Sequence, residues 1–400
     1  MMKKLLFTVV LACISLSATS QAIRRSWSGE LEAMGQKLPI VMNLVDGKCT
    51  LDSPLQGAAG IPATVQLLTK DSIKISIESL GASYAARYVD GQLQGTFTQN
   101  GIKIPLNMKE ISPAGPNRPQ TPKGPFPYAT EEVTFTNAKA GATLAGTLTI
   151  PKGGAKSVII MVTGSGPENR DEEVAYHKPF AVIADRLARA GIATLRYDDR
   201  GVGQSVGGEV KHTTSEDVAE DATAGFEWLR EQKRFKKIGL LGHSEGGLVA
   251  FMLAAQKKVD FIVSLAGPAV KGDSIVLYQS RNSGNPFTKN ITIEQLRNML
   301  KTNTWMTFFM DYDPSENIAS IKCPVLALNG SKDCQVPAAM NIPVLRRLLP
   351  KNRKNLVKEY EGLNHMFQHC KTGRPDEYYK LEETISEEVL NDIIDWIKKL

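Results

Sequence analysis

Ile238-Gly239-Leu240-Leu241-Gly242-His243-Ser244-Glu245-Gly246-Gly247-Leu248 decides the fold. Ile238 to Leu241 is an apolar run with no polar alternation, the pattern of a strand buried on both faces. Leu248-Val249-Ala250-Phe251-Met252-Leu253 continues as a helix. Between strand and helix stands G-x-S-x-G, and the chain must reverse there within a few residues. The reversal strains the backbone at Ser244, and the small flanking residues let helix and strand approach each other. Such a turn holds the Ser244 hydroxyl out at the carboxyl edge of a sheet. It also aims the Glu245 amide, at the helix N-terminus, where an oxyanion would form. A tight turn carrying a solvated serine is the alternative, but strand and helix in these positions favour a nucleophile.

Working outward, buried strands alternate with helices. Glu132–Phe135 and Ala145–Ile150 form an opening hairpin around Gly141. Strands are predicted at Ser157–Val162, Ala193–Tyr197, Phe261–Leu265, Pro324–Leu328 and Leu356–Tyr360. Helices are predicted over Ala181–Ala190 and Thr214–Gln232, the second with Val218, Ala222, Phe226 and Leu229 on one face. Ile385, Val389, Ile393 and Ile397 give a closing helix its spine. Continuous apolar strands alternating with helices predict an α/β fold: a mainly parallel sheet covered on both faces, with its site beyond the carboxyl ends of the strands. The alternation stops at about 267–319, where Ile291–Leu300 reads as a helix and Trp305, Phe308, Phe309, Met310 and Tyr312 follow. An insertion there is expected to cap the pocket.

A serine hydroxyl needs a base, and the base needs an orienting acid. In folds with this elbow they follow in the order Ser, acid, His. Asp333, in Asn329-Gly330-Ser331-Lys332-Asp333, follows one late strand, and His365, in Gly362-Leu363-Asn364-His365, follows the last. Ser244, Asp333 and His365 are therefore the candidate triad. His243 is expected to face away from the nucleophile, His177 and His212 precede it in the chain, and His369 lacks the Gly-Leu-Asn lead-in. Asp311 and Asp313 fall in the expected cap, and Asp198 and Asp199 follow an early strand. Thr163-Gly164-Ser165-Gly166-Pro167 follows the first buried strand, which makes the Ser165 amide the natural oxyanion partner of the Glu245 amide. The same loop lacks the G-x-x-x-x-G-K-[ST] pattern of a phosphate loop. No metal or cofactor is expected.

Residues 1–22 read as a signal peptide: Lys3 and Lys4, an apolar stretch from Leu5 to Leu16, and a small-residue exit at Ser20-Gln21-Ala22. This predicts an exported, periplasmic or secreted protein without stable membrane insertion. Lipid attachment at Cys13 is the rival reading. Residues 23–110 alternate in period two, as in Ile73, Ile75 and Ile77, with turn pairs at Asp46-Gly47, Asp90-Gly91 and Asn100-Gly101. They predict a small antiparallel sheet or partial barrel that packs or positions substrate; Trp27 and Tyr84 could form a sugar platform, but single aromatics are more often core. The Pro-rich stretch 111–128 is a semi-rigid linker to the domain at 129–400. Forty-eight Lys and Arg stand interspersed with 42 Asp and Glu, so the balance argues solubility and not nucleic-acid binding. Four of the five cysteines, Cys49, Cys323, Cys334 and Cys370, lie beyond the leader without a C-x-x-C pair, which disfavours zinc. If the triad forms, Cys334 and Cys370 sit on neighbouring loops, and a disulfide between them would brace those loops.

The quoted motifs, with Arg170-Asp171-Glu172 and Arg196-Tyr197-Asp198-Asp199-Arg200-Gly201, make residues 129–400 resemble a bacterial α/β hydrolase of the esterase and serine-aminopeptidase-like group. The segment from Trp305 to Pro314 and the β-rich residues 23–110 resemble parts of secreted two-domain carboxylesterases. The resemblance implies a Ser-His-Asp esterase for small-molecule esters of short acyl chains, and leaves the natural substrate and the oligomeric state open. The charges of Tyr197-Asp198-Asp199-Arg200-Gly201 read as pairs that hold a loop. Two other functions stay in view. A peptidase acting from a peptide N-terminus would need a carboxylate for the amine, from Glu168, Asp171 or Glu172. A glycan-binding protein with a vestigial hydrolase domain would not need an intact triad.

Overall fold

The computed structural model describes residues 24–400 except 34–35, 57, 113–115 and 284–286. The expected signal peptide, Cys13, and Pro113 and Gly115 of the linker lie outside the described residues. Eight antiparallel strands come first: β1 (Arg24–Ala33), β2 (Gln36–Val45), β3 (Lys48–Ser53), β4 (Ala58–Leu68), β5 (Ser72–Ile77), β6 (Ala82–Val89), β7 (Gln92–Gln99) and β8 (Ile102–Ile111). At Asp46-Gly47, Asp90-Gly91 and Asn100-Gly101 both central residues have positive φ, the turn geometry that matches strand twist in two-residue hairpins.

The strands do not stop at a sheet or partial barrel. β8 pairs back onto β1, Ser26 against Ile111 through Gly29 against Met108, and the barrel closes. Closure removes the exposed strand edges that an open sheet would carry. Met42, Ile75, Ile77, Leu106 and Met108 fill the interior. Trp27 and Tyr84 lie there too, 3% and 0% exposed, and the Tyr84 hydroxyl donates to the Leu106 carbonyl at 3.0 Å. These two rings are core, the favoured of the two readings, and neither offers a face to a sugar.

The second unit is a sheet of nine strands: β9 (Tyr128–Asn137), β10 (Ala142–Pro151), β11 (Ser157–Val162), β12 (Ala193–Tyr197), β13 (Val206–Gly207), β14 (Lys237–His243), β15 (Phe261–Leu265), β16 (Val325–Gly330) and β17 (Leu356–Tyr360). The order β12-β11-β14-β15-β16-β17 is parallel, while β9, β10 and β13 add antiparallel strands at one side. After β12 the chain crosses to the far side of β11 to lay down β14. The strand order therefore reverses between β11 and β14, and the crevice beyond their carboxyl ends is where such sheets bind ligands.

The helices are α1 (Pro179–Arg189), α2 (Ser215–Glu231), α3 (Glu245–Ala255), α4 (Gly272–Asn282), α5 (Ile293–Leu300), α6 (Thr304–Asp311), α7 (Ser315–Ser320), α8 (Ala338–Leu348) and α9 (Glu387–Lys398). One core packs α2 and α3 on one face of the sheet; another packs α1 and α9 on the other. α3 is buried from Glu245 to Ala254, which is why its sequence is apolar on every side. Helices α4 to α6 form a separate small core with Leu248 and Val336 at the site end of the sheet. No helix among the described residues is long and apolar enough to cross a membrane.

Barrel and sheet unit are tied together. Arg118 of the linker is buried and donates to the carbonyls of Ala175, Leu381 and Tyr379 at 2.7, 2.7 and 2.9 Å. The Pro54 carbonyl accepts the Ala175 amide at 2.9 Å, and the Tyr176 hydroxyl donates to Asp52. Leu55, in the turn Pro54–Gln56 after β3, packs against Ala175, Met366 and Tyr378.

Candidate active site

The turn after β14 shows why the motif needs its residue types. Ser244 sits at φ 53°, ψ −116°, a conformation that non-glycine residues seldom adopt. A Cβ at Gly242 would meet the Gly246 carbonyl oxygen at 1.9 Å, and one at Gly246 would meet that of Val162 at 2.1 Å. Any side chain at either position would push the helix off the sheet. The Ser244 amide donates to Leu265 O at 2.8 Å, which anchors the strained residue to the neighbouring strand. α3 begins at Glu245, so that amide has no acceptor within its own helix.

Asp333 leaves the carboxyl end of β16. Its Oδ1 accepts the amides of Gln335 and Val336, each at 2.8 Å. Its Oδ2 accepts the Asn329 side chain at 3.2 Å and His365 Nδ1 at 2.7 Å. Four donors thus fix the carboxylate, and the Asp333 and His365 side chains are 0% and 4% exposed. The loop after β17 is fixed by Asn364, whose Oδ1 accepts the amides of Met366 and Gln368 at 3.0 and 2.9 Å. Ser244 and His365 line one cavity of about 280 Å³. No hydrogen bond joins these two among the described residues; such contacts commonly stay loose until substrate is bound.

His243 does not face away from the site. Its ring lies 4.7 Å from that of His365 and lines the same cavity. Nδ1 is 2.8 Å from Glu172 Oε1 and Nε2 is 3.0 Å from the His365 carbonyl oxygen. Both partners are acceptors, so both ring nitrogens carry protons and His243 is an imidazolium. Burial alone would lower its pKa; the charge and hydrogen bond of Glu172 outweigh burial and raise it to about 9. Glu172 Oε1 also accepts the Gly164 amide at 2.8 Å. This one ion pair therefore links the elbow, the loop after β11 and the loop that carries His365. Sequence reading marked Glu172 within Arg170-Asp171-Glu172 but missed its pairing with His243, because the two are distant in the chain and the left-handed φ of 53° at Glu172 is set by the fold.

The raised pKa carries a stability prediction. The contribution of His243 is present in full below its unfolded pKa of about 6.5 and is lost as pH rises through about 9. The difference in unfolding free energy between wild type and His243→Gln is expected to shrink by roughly 3 kcal/mol from pH 6 to 10. Urea titrations across that range would measure it, and a difference that stays constant with pH would contradict the ion pair.

The loop after β11 approaches the serine closely: a Cβ on Gly164 would lie 3.5 Å from that of Ser244. Asp199 secures this loop by accepting the Thr163 hydroxyl at 3.1 Å and the Glu168 amide at 2.9 Å. Ser165 and Glu245, the expected oxyanion residues, both line the cavity. The Glu245 side chain is held by Trp305 Nε1 at 2.7 Å and by the Ser215 hydroxyl. Burial pushes its carboxyl pKa up, against the pull of bonds from Ser215, Trp305 and Ser165. Ile275, Gln279, Trp305, Met306 and Phe309 of the inserted helices line the cavity, and the barrel adds Leu55.

The remaining candidates lie elsewhere. His177 is buried between Thr384 and the Tyr378 carbonyl, His369 pairs with Glu383 on the surface, and His212 contacts Thr304. Asp311 pairs with Arg297, and Asp313 accepts the Ser315 amide. Asp198 binds Arg170 through both oxygens, at 3.1 and 2.8 Å. Arg200 grips Asp221 at 2.7 and 2.9 Å, both side chains being 5% exposed. Arg200→Ala would strand a buried carboxylate and is expected to cost about 3–5 kcal/mol of stability, read from the urea midpoint. A loss below about 1 kcal/mol would mean that solvent already screens the pair.

The Cys334–Cys370 disulfide that the sequence left open is not formed, and all four described cysteines are free. The Cys334 thiol donates instead to the Gly373 carbonyl at 3.0 Å, and Cys370 contacts that of Gly362 at 3.5 Å. The Cys334 bond crosses from the loop after β16 to the loop after β17, whereas the Cys370 contact stays within the latter.

Residues 175–314 match a family model described as serine aminopeptidase, S33. The chain is 30% identical over 274 residues to esterase EstD of Thermotoga maritima, covering 64% of this chain and 66% of that protein, a little under two thirds of its length. An uncharacterised 31.7 kDa Escherichia coli protein is 28% identical over 39% of this chain and 67% of its own. Among solved structures, a Pyrococcus furiosus esterase is 20% identical with a TM-score of 0.49, over 71% of this chain and 97% of that one. In its sheet order and its strained serine turn the chain has an α/β-hydrolase fold, and over 274 residues it is similar to esterase EstD.

Proposed function

We propose that the protein is a serine hydrolase of carboxylic esters with short acyl chains, working through an acyl-enzyme. The observation that carries this reading is the 2.7 Å contact between Asp333 and His365, at the wall of the cavity that Ser244 also lines. Ser244 Oγ attacks the ester carbonyl carbon while His365 Nε2 takes its proton. Asp333 holds the Nδ1 proton and stabilises the imidazolium that forms. The negative oxygen rests against the amides of Glu245 and Ser165, each such donor being worth about 2.7–4 kcal/mol in the transition state. His365 then protonates the departing alcohol. A water, deprotonated by His365, attacks the acyl carbon, releases the acid and restores Ser244. The basic and apolar start of the chain supports export.

The nearby carboxyls favour an ester over a peptide amine. Glu172 is engaged by His243, and Asp171 pairs with Arg196 and Lys178. Glu168 lines the cavity, but burial, helped by the charge of Glu172, pushes its pKa to about 8. Burial thus disfavours the charged form that would best receive an ammonium group. Fluorophosphonate labelling of Ser244, with p-nitrophenyl acetate and butyrate compared against aminoacyl p-nitroanilides, tests the proposal. Turnover of the anilides alone would reverse the substrate class, and an unlabelled serine with no turnover would refute the mechanism.

A further inference from the structure

Lys and Arg are interspersed with acids along the chain, but the fold sorts them. Parallel strands gather the loops that lead into them at one edge of the sheet and the loops that leave them at the other. The loops into β11, β14, β15, β16 and β17 are residues 152–156, 232–236, 256–260, 321–324 and 349–355. Together they hold eleven Lys and Arg against one acid, Asp260, whose carboxylate accepts the Ile238 amide at 2.7 Å. The loop into β12 carries no charge. α9 ends at this edge with Lys398 and Lys399, because Lys237 and Lys354 both donate to the Leu400 carbonyl, at 2.6 and 3.2 Å. Lys156, Lys236 and Lys398 line one cavity of about 740 Å³ there, so loops and helix end form one surface. Glu168, Glu172, Asp199 and Asp333 stand at the opposite edge, around the site.

Of the eleven cations all but Lys258 are exposed. Among the described residues only Arg234 of this set has an acidic partner, Glu131 at 2.8 Å. The flanking acids are Glu231 at the end of α2 and Asp395 near the end of α9, both exposed. Such an excess attracts an anionic partner. Nine of the eleven are Lys, which is a compact point charge, and two are Arg, whose planar fork reads bases and phosphates through paired bonds. The one aromatic in these loops, Phe235, is half-buried with the Arg234 guanidinium 5.8 Å from its ring centroid, so no open platform for stacking bases is offered. Leu356, 40% exposed, adds an apolar side chain just past the last loop. Point charges spread along a broad edge suit a laterally diffuse anionic surface, the chemistry of phospholipid headgroups.

We propose that this basic edge docks the protein peripherally on an anionic phospholipid bilayer, by electrostatic attraction and without insertion, with the Ser244 cavity turned away from the lipid. Co-sedimentation of the full chain with vesicles tests it, one set of phosphatidylcholine alone and one of phosphatidylcholine mixed in equal parts with phosphatidylglycerol. Binding is expected to be tighter on the mixed vesicles and to fall as salt is raised. Removing one lysine charge at such a surface weakens binding by ~5-fold, so the triple K156Q/K236Q/K257Q should weaken it by ~100-fold. The triple K48Q/K70Q/K103Q, on the barrel, loses the same net charge and should change binding far less. The charge-preserving triple K156R/K236R/K257R should bind like wild type. All six lysines are exposed, and an unchanged urea midpoint would show that folding is spared. Every form carries the same first residues, so any affinity of the apolar leader cancels between them. Equal binding to both vesicle sets overturns the docking surface. So does a K156Q/K236Q/K257Q chain that binds like wild type, or a barrel triple that weakens binding as much. Tighter binding to double-stranded DNA than to the mixed vesicles at the same salt also overturns it and makes the partner a nucleic acid. Ser244 takes no part in this readout, so the hydrolase reading stands or falls separately.

Discussion

Ser244→Ala is expected to lower kcat for p-nitrophenyl butyrate by about 10⁶-fold, the scale on which serine hydrolases lose activity with their nucleophile. The remaining groups cannot form the acyl-enzyme. They can still direct a water at a carbonyl held by the Glu245 and Ser165 amides, and that route leaves a residual rate above the uncatalysed one. Alanine occupies the same strained backbone, φ 53°, with the same Cβ, so urea unfolding should change little. Lost turnover with an unchanged unfolding midpoint separates chemistry from folding. A purified variant that keeps more than about one per cent of wild-type kcat would contradict the nucleophile assignment.

On the proposed mechanism, Asp333→Asn should lower kcat by about 10⁴-fold, the loss that the corresponding change causes in a Ser-His-Asp protease. The hydrogen bonds around residue 333 explain why. One amide oxygen can still accept the amides of Gln335 and Val336. The amide nitrogen then stands where Oδ2 stood, facing His365 Nδ1 and the Asn329 side-chain nitrogen, both of them donors in the native enzyme. His365 can relieve the conflict by moving its proton to Nε2. In that tautomer the nitrogen needed to take the serine proton is already protonated. KM should move much less than kcat, because the carboxylate does not line the cavity. A variant within tenfold of wild-type kcat would show that the imidazole is oriented by something else.

Most of the second unit was legible because its strands are continuous apolar runs and its turns carry local signatures. Ser157–Val162, Ala193–Tyr197, Phe261–Leu265 and Leu356–Tyr360 begin and end where the sequence places them. The order of Ser244, Asp333 and His365 was legible for a related reason: each follows such a strand. Features that depend on partners distant in the chain were not legible. Barrel closure rests on β8 meeting β1, and neither strand announces that pairing. Trp27 and Tyr84 were favoured as core because they stand singly, and barrel closure is what buries them. α8 went unread because Pro343 interrupts its pattern, yet it forms from Ala338 to Leu348 with proline inside. The His243–Glu172 pair joins the end of β14 to a distant loop, and nothing local in the sequence says that the two side chains meet.

Leu55 belongs to the barrel and yet forms part of the cavity wall. A residue outside the catalytic unit thus has a say in what fits inside it, so exchanging the turn that carries Leu55 is a way to retune selectivity without disturbing a reacting group. It also means that the two units are matched halves: a hydrolase unit transplanted onto a foreign barrel would inherit the chemistry but not the shape of its own pocket.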